Sequence, residues 1–260
     1  MLLGKETVIP EIAQVVIRGA GMDLVFAAAA AFIAYTVKGL CGFGNTLVFA
    51  SIMSFRADTV SIPPVESVLG LAPSGYIAWK CRKEFVPGII IPMALVMAAG
   101  SLAGTLVLKN ASPGSLKVLF GFVTVALAVE MLLRGKAGKR EGSRKALMLI
   151  GILAGVMSGL YGVGALMAAY MSRTTRSANA FRGNLCAVFF INDTIRLILY
   201  LSLGILTGGV FRLALMLVPF MAAGVAAGSF LAGRISEEKV RLGVIVLLIL
   251  SGVSLIAANI

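Results

Sequence analysis

A short glycine-rich motif occurs twice in the chain, and each copy interrupts an apolar run. The first copy begins Lys38-Gly-Leu-Cys-Gly-Phe-Gly-Asn and the second Ser158-Gly-Leu-Tyr-Gly-Val-Gly-Ala, so Gly-Leu-x-Gly-x-Gly recurs at a constant offset of 120 residues. Each glycine destabilises a helix by about 1 kcal/mol relative to alanine. The motif therefore predicts that both apolar runs break at this point.

The length of the first run also favours a break. It extends from Met22 to Phe55, which is 34 residues, and an unbroken helix of that length would measure roughly 50 Å. The hydrocarbon core of a bilayer is only roughly 30 Å thick. We expect two half-helices that meet at a glycine tip as a re-entrant hairpin, with one strongly tilted, kinked span as the alternative.

Composition places the chain among polytopic membrane proteins, because 59% of its residues are hydrophobic and its apolar stretches have a length of about 20 residues. The net charge of +12 lies mostly in short loops between these stretches, so it predicts orientation in the lipid bilayer and no nucleic-acid partner. The chain has no histidine, and its three cysteines have no metal-type spacing. We predict no metal site, no cofactor and no enzymatic activity.

The apolar stretches follow the same order in both halves of the chain. Residues 1–21 precede them and contain a candidate interfacial helix. The first repeat, residues 22–133, has a hairpin at 22–55 and spans at 59–79, 86–108 and 116–133. A basic linker at 134–145 leads to the second repeat, residues 146–260, with a hairpin at 146–171 and spans at 178–203, 211–233 and 240–258. Ala-Ala-Gly-Ser at 98–101 matches the same four residues at 226–229.

The predicted fold is an all-α polytopic membrane protein of two inverted repeats, each a broken or re-entrant helical hairpin plus three transmembrane helices. Three full crossings are an odd number, so the second repeat must be inverted relative to the first. Placing residues 80–83, 134–145, 173–182 and 234–241 in the cytoplasm collects 15 of the 23 Lys and Arg residues on one side. This agrees with the positive-inside bias and puts both termini outside.

The complete pattern of two broken segments, six further spans and a basic linker resembles the TauE/SafE family of sulfite and organosulfonate exporters. That family typically shows G-x-G-G-G and a later proline in each half. This chain has Gly-Phe-Gly-Asn-Thr at 42–46 and Gly-Val-Gly-Ala-Leu at 162–166, without the third glycine or the proline. The resemblance implies a multi-pass protein of the bacterial inner membrane that exports a small sulfur-containing or other organic anion. Whether it forms a homodimer stays open.

The two tips contain most of the predicted substrate-binding residues. A half-helix that starts inside the membrane directs free N–H groups and its positive dipole end inward, where they suit a small anion. We expect Asn45 or Thr46 to cap the second half-helix in the first copy and Ala165 to begin it in the second. The alternative is that the glycines serve only close helix packing. The tip candidates are Lys38, Cys41, Gly42, Gly44, Asn45, Thr46, Tyr161, Gly162 and Gly164.

Ionisable and amide residues at membrane depth complete the candidate site. Lys38 needs a carboxylate, a water-filled cavity or a bound anion there, unless its side chain snorkels to an interface. Asn192 and Arg196 are further substrate-binding candidates, and Glu66 and Asp193 are candidates for proton coupling. Asp193 and Arg196 lie three residues apart, so mutual neutralisation is the alternative to a functional role.

Two other functions stay open from sequence alone. An anion channel has the same features as a carrier at this level. An integral membrane enzyme acting on a lipid phosphate would also use re-entrant hairpins. The sequence disfavours the enzyme because neither tip holds an arginine and the chain has no histidine.

The charge distribution makes a direct prediction about topology. Single cysteines placed near Lys83, Lys139, Arg176 and Lys239 should react with a membrane-impermeant thiol reagent only from the cytoplasmic side. Labelling of intact cells and inverted vesicles measures this. Reaction near Lys139 and Arg176 from opposite sides would reject the hairpin arrangement.

Overall fold

The computed structural model describes residues 22–55, 62–110, 113–133, 144–175, 177–232, 234 and 237–259. These residues are helical apart from short connections, in agreement with the predicted all-α class. The candidate interfacial helix in residues 1–21 and most of the basic linker lie outside the described residues.

Ten α-helices follow one another along the described chain. In the first half they are α1 (Met22–Cys41), α2 (Asn45–Met53), α3 (Ile62–Lys80), α4 (Pro87–Asn110) and α5 (Pro113–Leu133), with a 3₁₀ turn at Arg82–Glu84 between α3 and α4. In the second half they are α6 (Arg144–Tyr161), α7 (Ala165–Thr174), α8 (Ala178–Ser202), α9 (Gly208–Leu231) and α10 (Glu237–Asn259). Within these described helices, α1, α4, α8 and α9 are each long and apolar enough to cross a membrane.

Both breaks fall inside the repeated glycine motif. Gly42 and Gly44 in the first break and Gly162 in the second have φ angles of 84°, 89° and 77°. Side chains other than glycine rarely adopt this left-handed backbone conformation. The glycines therefore turn the chain where a helix would otherwise continue.

The two arms of each broken segment are unequal. Helix α1 has 20 residues and α2 has 9, while α6 has 18 and α7 has 10. A helix of 20 residues is about 30 Å long and can cross the hydrocarbon core by itself. The two arms are therefore unequal, and a re-entrant hairpin in the bilayer remains a prediction. Each segment is a long helix followed by a short one because the glycine break falls late in the apolar run. The long arm packs along a helix from the opposite half.

Contacts between the two halves are reciprocal. Helix α1 packs on α9, and its counterpart α6 packs on α4. Likewise α3 contacts α9 while α8 contacts α4, and the remaining large contacts join the equivalent helices α3 with α8 and α5 with α10. Two repeats related by a two-fold axis produce this pattern. Their inversion across a membrane remains a prediction.

Glycines allow the closest of these contacts. A Cβ atom on Gly100 or Gly104 of α4 would meet the backbone of α6 at Ile152 and Val156, and one on Gly224 or Gly228 of α9 would meet the backbone of α1. The partners on α1 are Phe32 and Thr36, which are 120 residues before Ile152 and Val156. Gly100 thus corresponds to Gly224. The match of Ala-Ala-Gly-Ser at 98–101 with 226–229 would instead pair Gly100 with Gly228. It therefore differs from the packing correspondence by four residues, or about one helical turn.

Substituting a glycine at the α4–α6 contact should destabilise the protein. In Gly100→Ala the new methyl group would collide with the backbone of Ile152 and force the helices apart, at a cost of about 1–3 kcal/mol. Thermal unfolding of the detergent-solubilised protein measures the loss. Gly88→Ala in the same helix is the matched control, since nothing lies within 4 Å of its Cβ position. Equal melting temperatures for the two variants would contradict the close packing.

Candidate functional site

A small cavity lies where the two glycine breaks meet. The methyl carbon of Thr46 sits 2.6 Å from the position a Cβ on Gly162 would take, so the two tips are in direct contact. The centres of water molecules can occupy about 20 Å³ of the cavity, which is room for about one or two of them. Its wall consists of residues from α1, both breaks, α2, α3, α6, α7 and α8: Lys38, Phe43, Gly44, Asn45, Thr46, Leu47, Glu66, Ser158, Gly162, Gly164, Ala165, Phe189, Asp193 and Arg196.

Lys38 is buried in the wall and does not snorkel, since only 1% of it is exposed. Its ammonium nitrogen donates a hydrogen bond to Ser74 Oγ at 2.8 Å and lies 5.9 Å from the ring centroid of Tyr35. An ammonium group has three donors, and no carboxylate within the described residues forms an ion pair with it. Lys38 is therefore a buried cation whose direct contacts are neutral, in a wall that also contains the carboxyl groups of Glu66 and Asp193.

Glu66 joins three helices at the cavity wall. Its carboxylate accepts hydrogen bonds from Tyr35 Oη of α1 at 2.6 Å and from Asn45 Nδ2 of α2 at 2.8 Å. Glu66 itself belongs to α3 and is 2% exposed. The carboxylate thus fixes the start of α2 relative to the two longer helices.

Asp193 and Arg196 form the neutralising pair that their spacing on α8 predicts. Arg196 Nη1 lies 3.1 Å from Asp193 Oδ1, and Nη2 donates to Tyr200 Oη at 3.0 Å and to the carbonyl oxygen of Pro63 at 3.3 Å. Arg196 Nε is buried and has no hydrogen-bond partner among the described residues. Three of the five N–H donors of the guanidinium group are thus used, and Nε–H is among those left without a partner within the described ranges.

The start of α2 is not capped by a side chain, and the expectation for Asn45 or Thr46 is wrong. Gly44 occupies the N-cap position with φ 89°, and α2 begins at Asn45. The amide of Asn45 binds Glu66 instead, because the turn directs it toward α3. In the second half α7 begins at Ala165, as expected, also without a side-chain cap. Gly44, Asn45, Thr46 and Leu47 all line the cavity, so the first turn of α2 faces it.

The structure brings nine of the thirteen predicted site residues to the cavity wall. These are Lys38, Gly44, Asn45, Thr46, Glu66, Gly162, Gly164, Asp193 and Arg196. The roles of these residues in binding an anion remain predictions.

The other four predicted residues do not line the cavity. Tyr161 donates to the carbonyl oxygen of Leu116 at 3.1 Å and is buried in the core. Asn192 binds Ser158 and Ser101, so it supports the wall residue Ser158. Cys41 is half-buried, and Gly42 packs against Arg182 on the far side of the tip.

Sequence reasoning missed several residues that organise the site. Tyr35 lies three residues before Lys38 and Tyr200 four residues after Arg196, so helical periodicity puts each on the same face as the candidate that it contacts. That signal was available from the sequence. Ser74, the hydrogen-bond partner of Lys38, has no such signal because it comes from another helix.

Comparison with known proteins gives one match. The family model described as sulfite exporter TauE/SafE matches residues 27–255, which include both glycine breaks and every residue of the cavity wall. No curated protein matches the chain, and no solved structure matches it.

Proposed function

The chain belongs to the sulfite exporter TauE/SafE family, and from this membership we propose that it is a secondary transporter for a small sulfur-containing anion such as sulfite. It is a multi-pass membrane protein, and we place it in the inner membrane of a bacterial cell. The anion binds in the cavity between the two glycine breaks, and it is exported.

The observation that carries this proposal is the set of unused donors in the cavity wall. Among the described residues, the ammonium group of Lys38 has only Ser74 as a hydrogen-bond partner and Arg196 Nε has none. The first turn of α2 has no side-chain cap. A buried donor without a hydrogen-bond partner is costly. An anion that accepts from these donors satisfies them, and the positive end of α2 adds to the attraction.

The charges of the wall also support a proton at Glu66. Two cations, Lys38 and Arg196, face two carboxyl groups, Glu66 and Asp193, so the ionised wall is formally neutral. A bound anion would add an uncompensated negative charge in a low-dielectric site. Uptake of one proton balances a monoanion such as hydrogensulfite and offsets half of the charge of a dianion. Glu66 takes it, because the carboxylate of Asp193 is paired with Arg196.

The alternatives are weaker on these observations. TauE/SafE is a transporter family, which argues against an enzyme that acts on a lipid phosphate. The small cavity favours a compact anion and a carrier with an enclosed site over an open pore. Counterflow separates the last two, because substrate on the opposite side accelerates a carrier and leaves a channel unaffected. Absence of both sulfite binding and sulfite counterflow in purified, reconstituted protein would refute the proposed function.

Removing the charge of Lys38 should weaken sulfite binding. A hydrogen bond to a charged group contributes about 1.5–3 kcal/mol, so we expect Lys38→Ala to raise the Kd about 10- to 100-fold, and Lys38→Arg to retain part of the affinity. Isothermal titration of monodisperse protein measures this. Lys109→Ala, which removes an exposed lysine, is the control. An unchanged Kd in folded Lys38→Ala would assign Lys38 to helix packing.

Replacing Glu66 by its uncharged isostere should remove the pH dependence of binding. Thiosulfate is a suitable probe because its own charge stays constant near neutral pH. Wild-type protein should bind it more tightly as the pH falls, because Glu66 then gains its proton. Glu66→Gln is always neutral and should bind with an affinity that does not change with pH. A pH dependence in Glu66→Gln equal to that of the wild type would exclude Glu66 as the proton acceptor.

A further inference from the structure

Helix α8 holds the ends of both broken helices at equivalent positions. Gly39 near the end of α1 and Gly159 near the end of α6 are 120 residues apart, as are Gly42 and Gly162 in the breaks. The carbonyl oxygens of Gly39 and Gly159 each accept a side-chain hydrogen bond from α8. This correspondence is not visible in the sequence of α8, which has no internal repeat.

Arg182 makes the first of these contacts. Its Nη2 donates to the carbonyl oxygen of Gly39 at 2.7 Å. Its Cγ lies 3.0 Å from the position that a Cβ on Gly42 would take, so the side chain covers the first break. Cys186, one turn further along α8, donates to the carbonyl oxygen of Gly42 at 3.3 Å.

Tyr200 and Arg196 make the second contact. Tyr200 Oη donates to the carbonyl oxygen of Gly159 at 3.1 Å and accepts from Arg196 Nη2 at 3.0 Å. The guanidinium group of Arg196 lies 3.4 Å from the Cβ position of Gly162. Each break is thus covered by an arginine of α8, and the two arginines are 14 residues apart, or about 21 Å along the helix.

The two arginines differ in their relation to the cavity. Arg196 lines it, whereas Arg182 does not. The first break contacts both, since Gly42 packs against Arg182 while Phe43 lines the cavity and packs edge-on against Phe181 at 5.9 Å. Arg182 has no ion-pair partner among the described residues, and its Nε is buried without a hydrogen bond. Within the part of the chain that the structure describes, its side-chain hydrogen bond is with the end of α1.

We propose that Arg182 is a positioning residue of the transport cycle, which holds the first break against α8 and releases it when the cavity opens toward the end of the bundle that carries Arg182. Gly42 contacts Arg182, and Phe43 and Gly44 line the cavity, so in this proposal an anion that enters from that end passes residues 42–44. The hydrogen bond from Arg182 to Gly39 must therefore break before an anion passes. This inference rests on the proposed function, since a transport cycle requires such an opening.

A labelling experiment tests the proposal without any substrate. Cys41, Cys81 and Cys186 are replaced by serine, and Ala165→Cys provides a single thiol in the cavity wall. Its rate of reaction with a membrane-impermeant reagent is measured from each side of oriented vesicles. Loss of the half-exposed, charge-assisted hydrogen bond from Arg182 to Gly39 should raise the population of the open state about three- to tenfold.

Arg182→Gln should therefore raise the labelling rate about three- to tenfold from the Arg182 side only, and Arg182→Lys should fall between it and the parent protein. Arg212→Gln, which removes an exposed arginine from α9, is the matched control and should have no effect. Unchanged labelling in Arg182→Gln, or an equal rise from both sides, would overturn the proposal. If Arg182→Gln is not monodisperse, Arg182→Lys is compared with the parent protein instead. A rise in its labelling rate from the Arg182 side only supports the proposal, and no rise or an equal rise from both sides overturns it.

Sulfite affinity separates this inference from the proposed function. Arg182 is outside the cavity wall, so the Kd of Arg182→Gln should stay within about threefold of the wild type, because a shift of a minor open state changes affinity little. A loss of affinity as large as that expected for Lys38→Ala would place Arg182 in the binding site and overturn a positioning role. Failure of the wild-type protein to bind sulfite would instead refute the proposed function and leave the labelling result intact.

Discussion

Burial of charge where two helices break is the constraint on which the rest of this structure depends. Lys38, Glu66 and Arg196 are almost completely inaccessible to solvent, in a chain that is otherwise strongly apolar. Charged groups persist in such surroundings only with partners. Hydrogen bonds from Lys38 to Ser74, from Tyr35 and Asn45 to Glu66, and from Arg196 to Tyr200 meet this requirement. The bonds of Lys38 and Glu66 join different helices around the cavity, and the bond from Arg196 to Tyr200 lies within one turn of α8. These polar groups therefore also fix how the breaks are oriented.

The glycines make that arrangement geometrically possible in two different ways. In the breaks, Gly42, Gly44 and Gly162 adopt a backbone conformation that other residues rarely take. In the helices, Gly100 and Gly228 leave no side chain between neighbouring backbones, so α4 lies directly on α6 and α9 on α1. Close contacts of this kind are how helices associate in lipid, where there is little hydrophobic driving force between them. The long arms are thereby held rigidly, and the short arms α2 and α7 meet at the cavity.

The scaffold is symmetric but the chemistry is not. Helix contacts and glycine positions recur between the halves, whereas Lys38 corresponds to Ser158 and Asn45 to Ala165. Repeat one supplies a lysine and a carboxylate near its own break, and repeat two supplies the Asp193–Arg196 pair from α8. Equivalent backbone carbonyls at Gly39 and Gly159 are bound by different side chains. A carrier with a symmetric scaffold and asymmetric wall can open by similar motions at both ends while binding a single anion in one orientation.

The sequence by itself determined the fold class, the position of both breaks and most of the residues at the cavity, because apolar length, glycine spacing and charges at membrane depth are local properties of the chain. The same break positions already give unequal arms. The sequence could not determine that α1 packs against α9 and α6 against α4. Nor could it identify Ser74 or Arg182, whose partners Lys38 and Gly39 are 36 and 143 residues away. For the same reason Asn45, which the sequence suggests as a helix cap, instead donates a hydrogen bond to Glu66. Hydrogen bonds between distant helices are decided only when the tertiary structure brings their donors and acceptors together.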